Sequence, residues 1–440
     1  MMAVNTFSLV RIMLCSSALA LGLTACSEPE VILPGKREAI RPDADVDVVN
    51  QSVAISLPNQ VANANWAQGH GNPSHRTNHP ALRAAPQLAW ATSIGAGDGR
   101  RQRINTRPVV ADGRIYTLDS AARVSAVSSA GQVLWTSDLI PARDDEGQAT
   151  GGGMAYDGGV LYISSGFGVL TALNAATGKQ VWRQELDATG SGQPTVRDGL
   201  VYLVAGDDTG WAVNTKDGRI AWQIEGAPSA SNVLGAPAPV LTKDLVVFAF
   251  GSGDLVATFR RGGLRRWSAS VAGQRIGSTL ARISDVTGSP VLVGNRAYVG
   301  NHSGRTVAFD TSNGDRIWTA QEGAIGPVWP AGDSLFQISD RNQLLRLKAS
   351  SGEILWAVDL PGYLKDKPRK RGAIVAHYGP VLAGGQIVVA SNDGQLRMFD
   401  PRDGSLNRSI EIPGGATAAP VVAGNTLYVV SSKGDLLAFR

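Results

Sequence analysis

The chain has 440 residues, 43% of them hydrophobic and 18% charged, with 52 glycines, which excludes a disordered polymer and fits many short strands joined by tight turns. Its 41 Lys and Arg against 37 Asp and Glu give a formal net charge of +4, too close to balance to argue for nucleic acid as a partner. The two cysteines, Cys15 and Cys26, both lie near the N-terminus, so the remainder can form no internal disulfide and no thiolate metal site.

Residues 1–26 read as a bacterial lipoprotein signal peptide. Arg11 supplies the basic segment, residues 12–23 the short apolar stretch, and Leu23-Thr24-Ala25-Cys26 a small-residue cleavage site that ends in cysteine. Cys26 is therefore expected to be the lipidated mature N-terminus. Ser27, rather than an aspartate, follows it, which favours the outer membrane. No other run approaches the roughly 20 apolar residues needed to span a bilayer, so attachment is expected through the lipid alone, on the periplasmic face. Residues 27–60 are polar, with Pro29, Pro34, Pro42 and Pro58 and a mixed charge run, and read as a flexible tether.

Residues 61–440 are expected to form one domain. It begins irregularly, with His70, His75 and His79 among Gly, Asn and Pro. No carboxylate or cysteine stands at ligand spacing, so an irregular lead-in loop fits better than a metal site. A unit of about 45 residues then repeats eight times. Each opens with a small residue or Pro, apolar residues and a turn, as in Pro108-Val109-Val110-Ala111-Asp112-Gly113 or Pro194-Thr195-Val196-Arg197-Asp198-Gly199. A third strand follows, as in Gly168-Val169-Leu170-Thr171-Ala172-Leu173-Asn174. Thr177-Gly178, Asp217-Gly218, Asn313-Gly314, Ser351-Gly352 and Asp403-Gly404 then supply the positive φ that two-residue hairpins require. The fourth strand is expected to end in tryptophan, at Trp135, Trp182, Trp222, Trp267, Trp318 and Trp356, with Arg408 in that place in the seventh copy.

The eighth unit starts at Pro420 and runs out at Arg440, before its tryptophan strand, while Gln87-Leu88-Ala89-Trp90 stands near the start with no blade before it. The expected fold is all-β: an eight-bladed β-propeller of four-stranded antiparallel blades, closed by the N-terminal strand pairing in the last blade. The tryptophans are expected to cover the wedges between blades, and Arg408 to leave one junction looser.

A search for chemistry finds no nucleophile elbow and no phosphate-binding glycine loop, and most aspartates sit beside glycine in the repeated turns. No catalytic residue, cofactor or metal is expected. Two stretches depart from the repeat. In the long connector 268–287, Arg282 and Asp285 flank Ile283, a polar rim around an apolar contact, which suits either a protein interface or a solvated connector. In 365–371, five of the seven residues are basic, a composition open to anionic headgroups, an acidic partner or plain exposure.

The lipobox, the tether and the ring of tryptophan repeats together resemble the BamB family of lipoproteins, which serve the β-barrel assembly machinery of Gram-negative outer membranes. The resemblance runs from about Trp66 to Arg440. The family's partner-binding motif, an Arg-Leu-Ser-Asp-Val pattern, is matched by Arg282-Ile283-Ser284-Asp285-Val286, with Thr287 where the family has a second acid. A second, leucine-rich contact loop is met by Ser229-Ala230-Ser231-Asn232-Val233-Leu234-Gly235, without the family's arginine. The resemblance implies a non-enzymatic scaffold that docks on the periplasmic POTRA domains of BamA through Asp285, Arg282, Ile283, Leu234 and Val233. It also implies help in delivering unfolded outer-membrane proteins, which the propeller could hold by β-augmentation. The repeats are similar, too, to those of quinone-dependent (PQQ) dehydrogenases, whose adjacent cysteines this chain lacks. A periplasmic ligand-binding propeller is the third reading.

Overall fold

The computed structural model describes residues 50–69, 71–74, 77–188, 192–229, 236–271, 273, 275, 285–365 and 367–440. They form eight four-stranded antiparallel sheets, the blades of a propeller. The strand β1 (Leu88–Ser93) precedes the first blade, which comprises β2 (Val109–Ala111), β3 (Arg114–Leu118), β4 (Arg123–Ser128) and β5 (Val133–Asp138). The middle strands β3 and β4 are buried almost throughout because neighbouring blades cover both faces, so they are mostly apolar, with Thr117 and Ser125 buried among the apolar residues. The outer strand β5 alternates exposed with half-buried residues, the mark of a strand with one covered face.

The two kinds of hairpin differ. Asp112 and Gly113 have φ of 50° and 71° and join the paired residues Ala111 and Arg114, a two-residue connection with both centres left-handed. The turn before the outer strand is longer than the sequence suggests. In the second blade Leu173 pairs with Gln180, the register shifts by one residue, and Gly178 (φ 70°) donates its N–H to Asn174 O four residues back. Gly178 thus supplies positive φ in a four-residue loop with a bulge rather than in a two-residue hairpin.

That loop is a docking platform. A Cβ built on Gly178 would stand 2.5 Å from Cε3 of Trp135, whose indole Nε1 donates to Ala175 O at 3.1 Å. The arrangement recurs around the ring: Trp90 on Ser129, Trp182 on Thr215, Trp222 on Arg260, Trp267 on Thr311, Trp318 on Ala349 and Trp356 on Pro401, each indole donating to a carbonyl of the next blade. In several blades a tyrosine on the second strand packs tilted against the tryptophan, as Tyr116 does against Trp135 at 6.0 Å and 41°. Its hydroxyl donates to the same Ala175 carbonyl. The tryptophans therefore latch blade to blade, but they sit in the first half of the outer strand and do not end it: Trp135 lies within Val133–Asp138.

Gly178→Ala and Gly113→Ala separate the latch from backbone strain. Both glycines have φ near 70°, yet nothing lies within 4 Å of the Cβ position at Gly113. Gly113→Ala is expected to cost about 1 kcal/mol, and Gly178→Ala about 2 to 3 kcal/mol because Trp135 must move. Equal midpoints of denaturant unfolding for the two variants would contradict the latch.

The ring closes where the two chain ends meet. β1 pairs antiparallel with Asp435–Phe439, from Leu88 opposite Phe439 to Ser93 opposite Asp435, and Gln87 and Arg440 exchange main-chain hydrogen bonds. In the eighth blade, then, no turn joins the third strand to the outer strand β1, where the other blades have the glycine loop. Arg408, which faces that blade in place of a tryptophan, is exposed. The absence of a loop to latch onto accounts for the missing tryptophan.

Residues 50–82 cross one end of the ring. Trp66 and Val110 exchange main-chain hydrogen bonds in the first blade, Tyr156 donates to Ala67 O in the second, and the Gln68 side chain accepts from and donates to the main chain of Val196 in the third. Pro73, Ser74, Pro80 and Asn63 each accept, through their carbonyls, from blades four, five, seven and eight. Trp66 stacks on Trp329 of the sixth at 6.1 Å. This segment therefore meets the innermost strand, or the turn that follows it, in every blade. His79 belongs to it: Gly385 N–H donates to Nε2 at 2.7 Å, so Nδ1 carries the proton given to Pro58 O at 2.8 Å. Both ring nitrogens are taken by main chain. His70 and His75 lie outside the described residues.

Within the stretch expected to be a tether, 27–60, the chain is bound to the sixth blade from Asn50 onward. Gln51 N–H donates to Leu355 O, and the Asn50 side chain both donates to and accepts from Ala357. Arg346 then reaches up from the core. It stands opposite Trp356, where six other blades place alanine opposite the tryptophan, and its side chain is fully buried. Its guanidinium donates to Ser334 Oγ, to Val53 O at 2.6 Å, to Ala54 O, and to the carbonyls of Pro401 and Arg402. Burial pulls its pKa below the ordinary value, with Asp333 acting the other way.

Candidate partner-binding site

In an antiparallel four-stranded meander, the connectors between blades and the second hairpin turns share one end of the ring, opposite the first and third turns. Residues 50–82 cover the end with the first turns. The connectors gather at the other end, and there the fifth and sixth blades place a set of charged side chains. Arg275, in the connector to the fifth blade, is fixed by its N–H to Ser303 O, in that blade's second turn. Its guanidinium meets Asp340 through two bonds of 3.0 Å and Glu322 at 2.9 Å. Arg341 closes the network on Glu322 at 2.6 Å. Gly323 N–H holds Asp340 from below at 2.8 Å.

Glu322 is only 5% exposed, whereas Arg341 retains 35% side-chain exposure, so the network has a sunken acidic centre and a cationic rim. Burial opposes the charge on Arg275, but Asp340 and Glu322 outweigh it and hold the guanidinium above its ordinary pKa. Charge-assisted, bidentate bonds of this kind fix side chains before any partner arrives. The turns that carry them are thereby presented as a rigid surface.

Asp285 enters this surface from the same connector. It is 4% exposed, and the next residue, Val286, is fully buried in the apolar core between the fourth and fifth blades. His302 hydrogen-bonds the Asp285 main chain, and its own pKa is lowered by burial, with that bond and Asp340 acting in the opposite sense. Thr287, at the position of the family's second acid, donates its hydroxyl to Ala324 O at 2.8 Å. That bond ties the loop to the connector leading into the sixth blade. Arg282, Ile283, Val233, Leu234 and the lipidation residue Cys26 lie outside the described residues.

Among the described residues no three His, Cys, Asp or Glu stand close enough to share a metal ion. A cleft of about 730 Å³ lies away from this surface, beside Arg143, Phe167 and Arg183 on the first two blades. No helix among the described residues is long and apolar enough to cross a membrane. Sequence reasoning missed Arg275, Glu322, Asp340 and Arg341 as a group. The signal was faint: Asp340-Arg341 is the turn of the sixth blade, and only spatial closure shows that it meets a connector more than sixty residues earlier.

The fold and this surface define a class: an eight-bladed propeller of tryptophan-latched repeats with a preformed ionic surface on its connector face. The sequence profile described as "Outer membrane protein assembly factor BamB" matches residues 120–358 and 359–440, and the chain belongs to that family. The assembly factor BamB of Yersinia pestis is 24% identical over 362 residues, covering 81% of this chain and 89% of that one. That of Escherichia coli K12 is 26% identical over 358 residues, covering 80% and 88%. Among solved structures, BamB from Moraxella catarrhalis superposes with a TM-score of 0.66 at 18% identity, over 81% of this chain and all of the other. A europium-containing methanol dehydrogenase superposes with 0.64 at 13% identity, over 86% and 98%, a likeness of fold alone.

Proposed function

We propose that this protein is a non-enzymatic scaffold lipoprotein of the outer-membrane β-barrel assembly machinery. Lipid on Cys26 holds it to the periplasmic face of the outer membrane, and the connector face of blades five and six docks on the POTRA domains of BamA. The observation that carries the reading is the family match through residue 440, in which curated relatives over four-fifths of the chain are outer membrane protein assembly factors. The ionic surface of Arg275, Glu322, Asp340 and Arg341 supports the choice of face, because fixed charges of both signs around the motif connector favour one docking register.

In this reading Arg282 and Ile283 meet the partner, with Val233 and Leu234 adding apolar area. Asp285 is a positioning residue, since its burial lets it hold the loop more readily than reach beyond it. Unfolded clients are passed to BamA with no chemistry on the way. The test is purification of the intact protein from detergent-solubilised outer membranes, with its companions identified by mass. BamA is the expected companion. Its absence, or stoichiometric binding of pyrroloquinoline quinone with dye reduction, would overturn the proposal.

A further inference from the structure

The connector from the sixth to the seventh blade has no part in that docking surface. Where the connector before it spans only the gap from Ala320 to Trp329, this one runs from Asp359 to His377. It is folded. Tyr363 pairs antiparallel with Ile374, Leu364 N–H donates to Ala373 O at 3.0 Å, and Val375 N–H donates to Gly362 O at 3.0 Å. Val375 is buried at the base, and a 3-10 turn over Pro368–Lys370 caps the far end. His377 fastens the base, accepting from Ser391 and donating through Nε2 to Pro361 O at 3.0 Å.

Every described residue from 361 to 374 is exposed. The arm carries Lys365, Lys367, Arg369, Lys370 and Arg371, and the Arg371 guanidinium lies 5.3 Å from the centre of the Tyr363 ring. Beside these cations stand Leu364 at 47% and Ile374 at 68% exposure. Cations interleaved with exposed aliphatic and aromatic side chains are the chemistry of a bilayer interface, where the apolar groups enter the headgroup layer and the charges meet phosphates.

A second observation points the same way. Asn50 and Gln51 bond to Ala357 and Leu355, on the outer strand Ile354–Asp359 of the sixth blade, and that strand leads directly into the arm. The chain that runs back to Cys26 thus joins the propeller on the strand from which the arm springs. The intervening residues 27–49 reach at most about 75 Å when extended. A lipid-held tether therefore brings this edge of the ring, before any other, into the range of the membrane.

We propose that residues 361–375 form a membrane-contacting arm that binds anionic phospholipid headgroups and turns the blade six to seven edge toward the leaflet. The position of the arm borrows the lipid anchor, but its binding does not, so the two are tested apart. The chain from Ser27 onward, which lacks the lipid and contains the whole closed propeller, is sedimented with vesicles of phosphatidylcholine alone or mixed with phosphatidylglycerol. Binding to the mixed vesicles only, weakened by salt, is expected. Replacing Lys365, Lys367 and Lys370 by glutamate should lower it about a hundredfold, and Ile374→Asp about tenfold, with unchanged melting temperatures. Equal sedimentation of parent and variants, or no binding to either vesicle, overturns the proposal. Loss of a cross-linked protein companion in the lysine variant without any vesicle binding also overturns it, and assigns the arm to an acidic protein.

Discussion

A chain lacking residues 61–92 is expected to lose its single cooperative melting transition, whereas one that begins at Asn50 should keep it. The deletion removes β1 up to its last residue, and with it the outer strand that pairs along Asp435–Phe439. It removes Trp90, whose indole donates to Ser129 O at 3.2 Å and whose ring meets Tyr428 at 6.0 Å. It also strips from the innermost strands of the blades, or the turns that follow them, the hydrogen bonds that Asn63, Trp66, Pro73, Ser74 and Pro80 supply. Loss of one large buried aromatic costs about 3 to 5 kcal/mol, and an exposed sheet edge and orphaned main-chain groups add to it. Net stabilities are only about 5 to 15 kcal/mol, so the sum should open the ring. Scanning calorimetry decides the matter, and equal transitions for the two chains would show that β1 does not close the propeller.

Replacing Arg346 by alanine should cost about 3 to 5 kcal/mol. The substitution leaves Ser334 Oγ and the carbonyls of Pro401 and Arg402 without their donor at a buried site, and cuts the tie to Val53 and Ala54. With an unfolding entropy of about 2.1 cal/mol/K per residue, a domain of this size should melt about 4 to 6 °C lower. Arg346→Lys should recover little, because one ammonium cannot span acceptors arranged for a planar fork. Trimming residues 27–49 should leave the melting temperature unchanged, while trimming through residue 55 should reproduce part of the Arg346→Ala loss. Sequence alone, reading a tether through residue 60, places the limit of harmless truncation beyond residue 55. The Arg346 contacts move it to Asn50. If trimming through residue 55 left the Arg346→Ala penalty undiminished, the segment would be passive.

Blade count and closure were legible because each unit repeats its apolar runs, its glycine turns and its tryptophan, and because Trp90 had no blade of its own. The length of the third turn was not, since a glycine with positive φ serves a two-residue and a four-residue loop alike, and only the register between Leu173 and Gln180 separates them. Arg346 was hidden for a related reason. It occupies a slot that alanine fills elsewhere, and nothing local announces that its acceptors come from residues 53 and 54 on the far side of the chain. The connector carrying Asp285 stood out as a break in the repeat, but its role came from resemblance, and the ionic network around it exists only once three separate loops converge.

That convergence also alters what a change at Asp285 should do. On sequence grounds its removal would weaken binding and leave the fold alone; at 4% exposure beside buried Val286, it should lower stability as well. The central claim, that the connector face of blades five and six meets BamA, is tested most directly by calorimetric titration of the isolated POTRA domains below the onset of melting. Asp285→Asn is set beside the glutamate variant of Lys365, Lys367 and Lys370. If the loop that Asp285 positions carries the contact, Asp285→Asn should weaken binding at least tenfold, whereas exposed charges contribute under about 1 kcal/mol and the lysine variant should lose less than about fivefold. Unchanged affinity for Asp285→Asn, with a clear loss for the lysine variant, would contradict the account and move the interface to the arm.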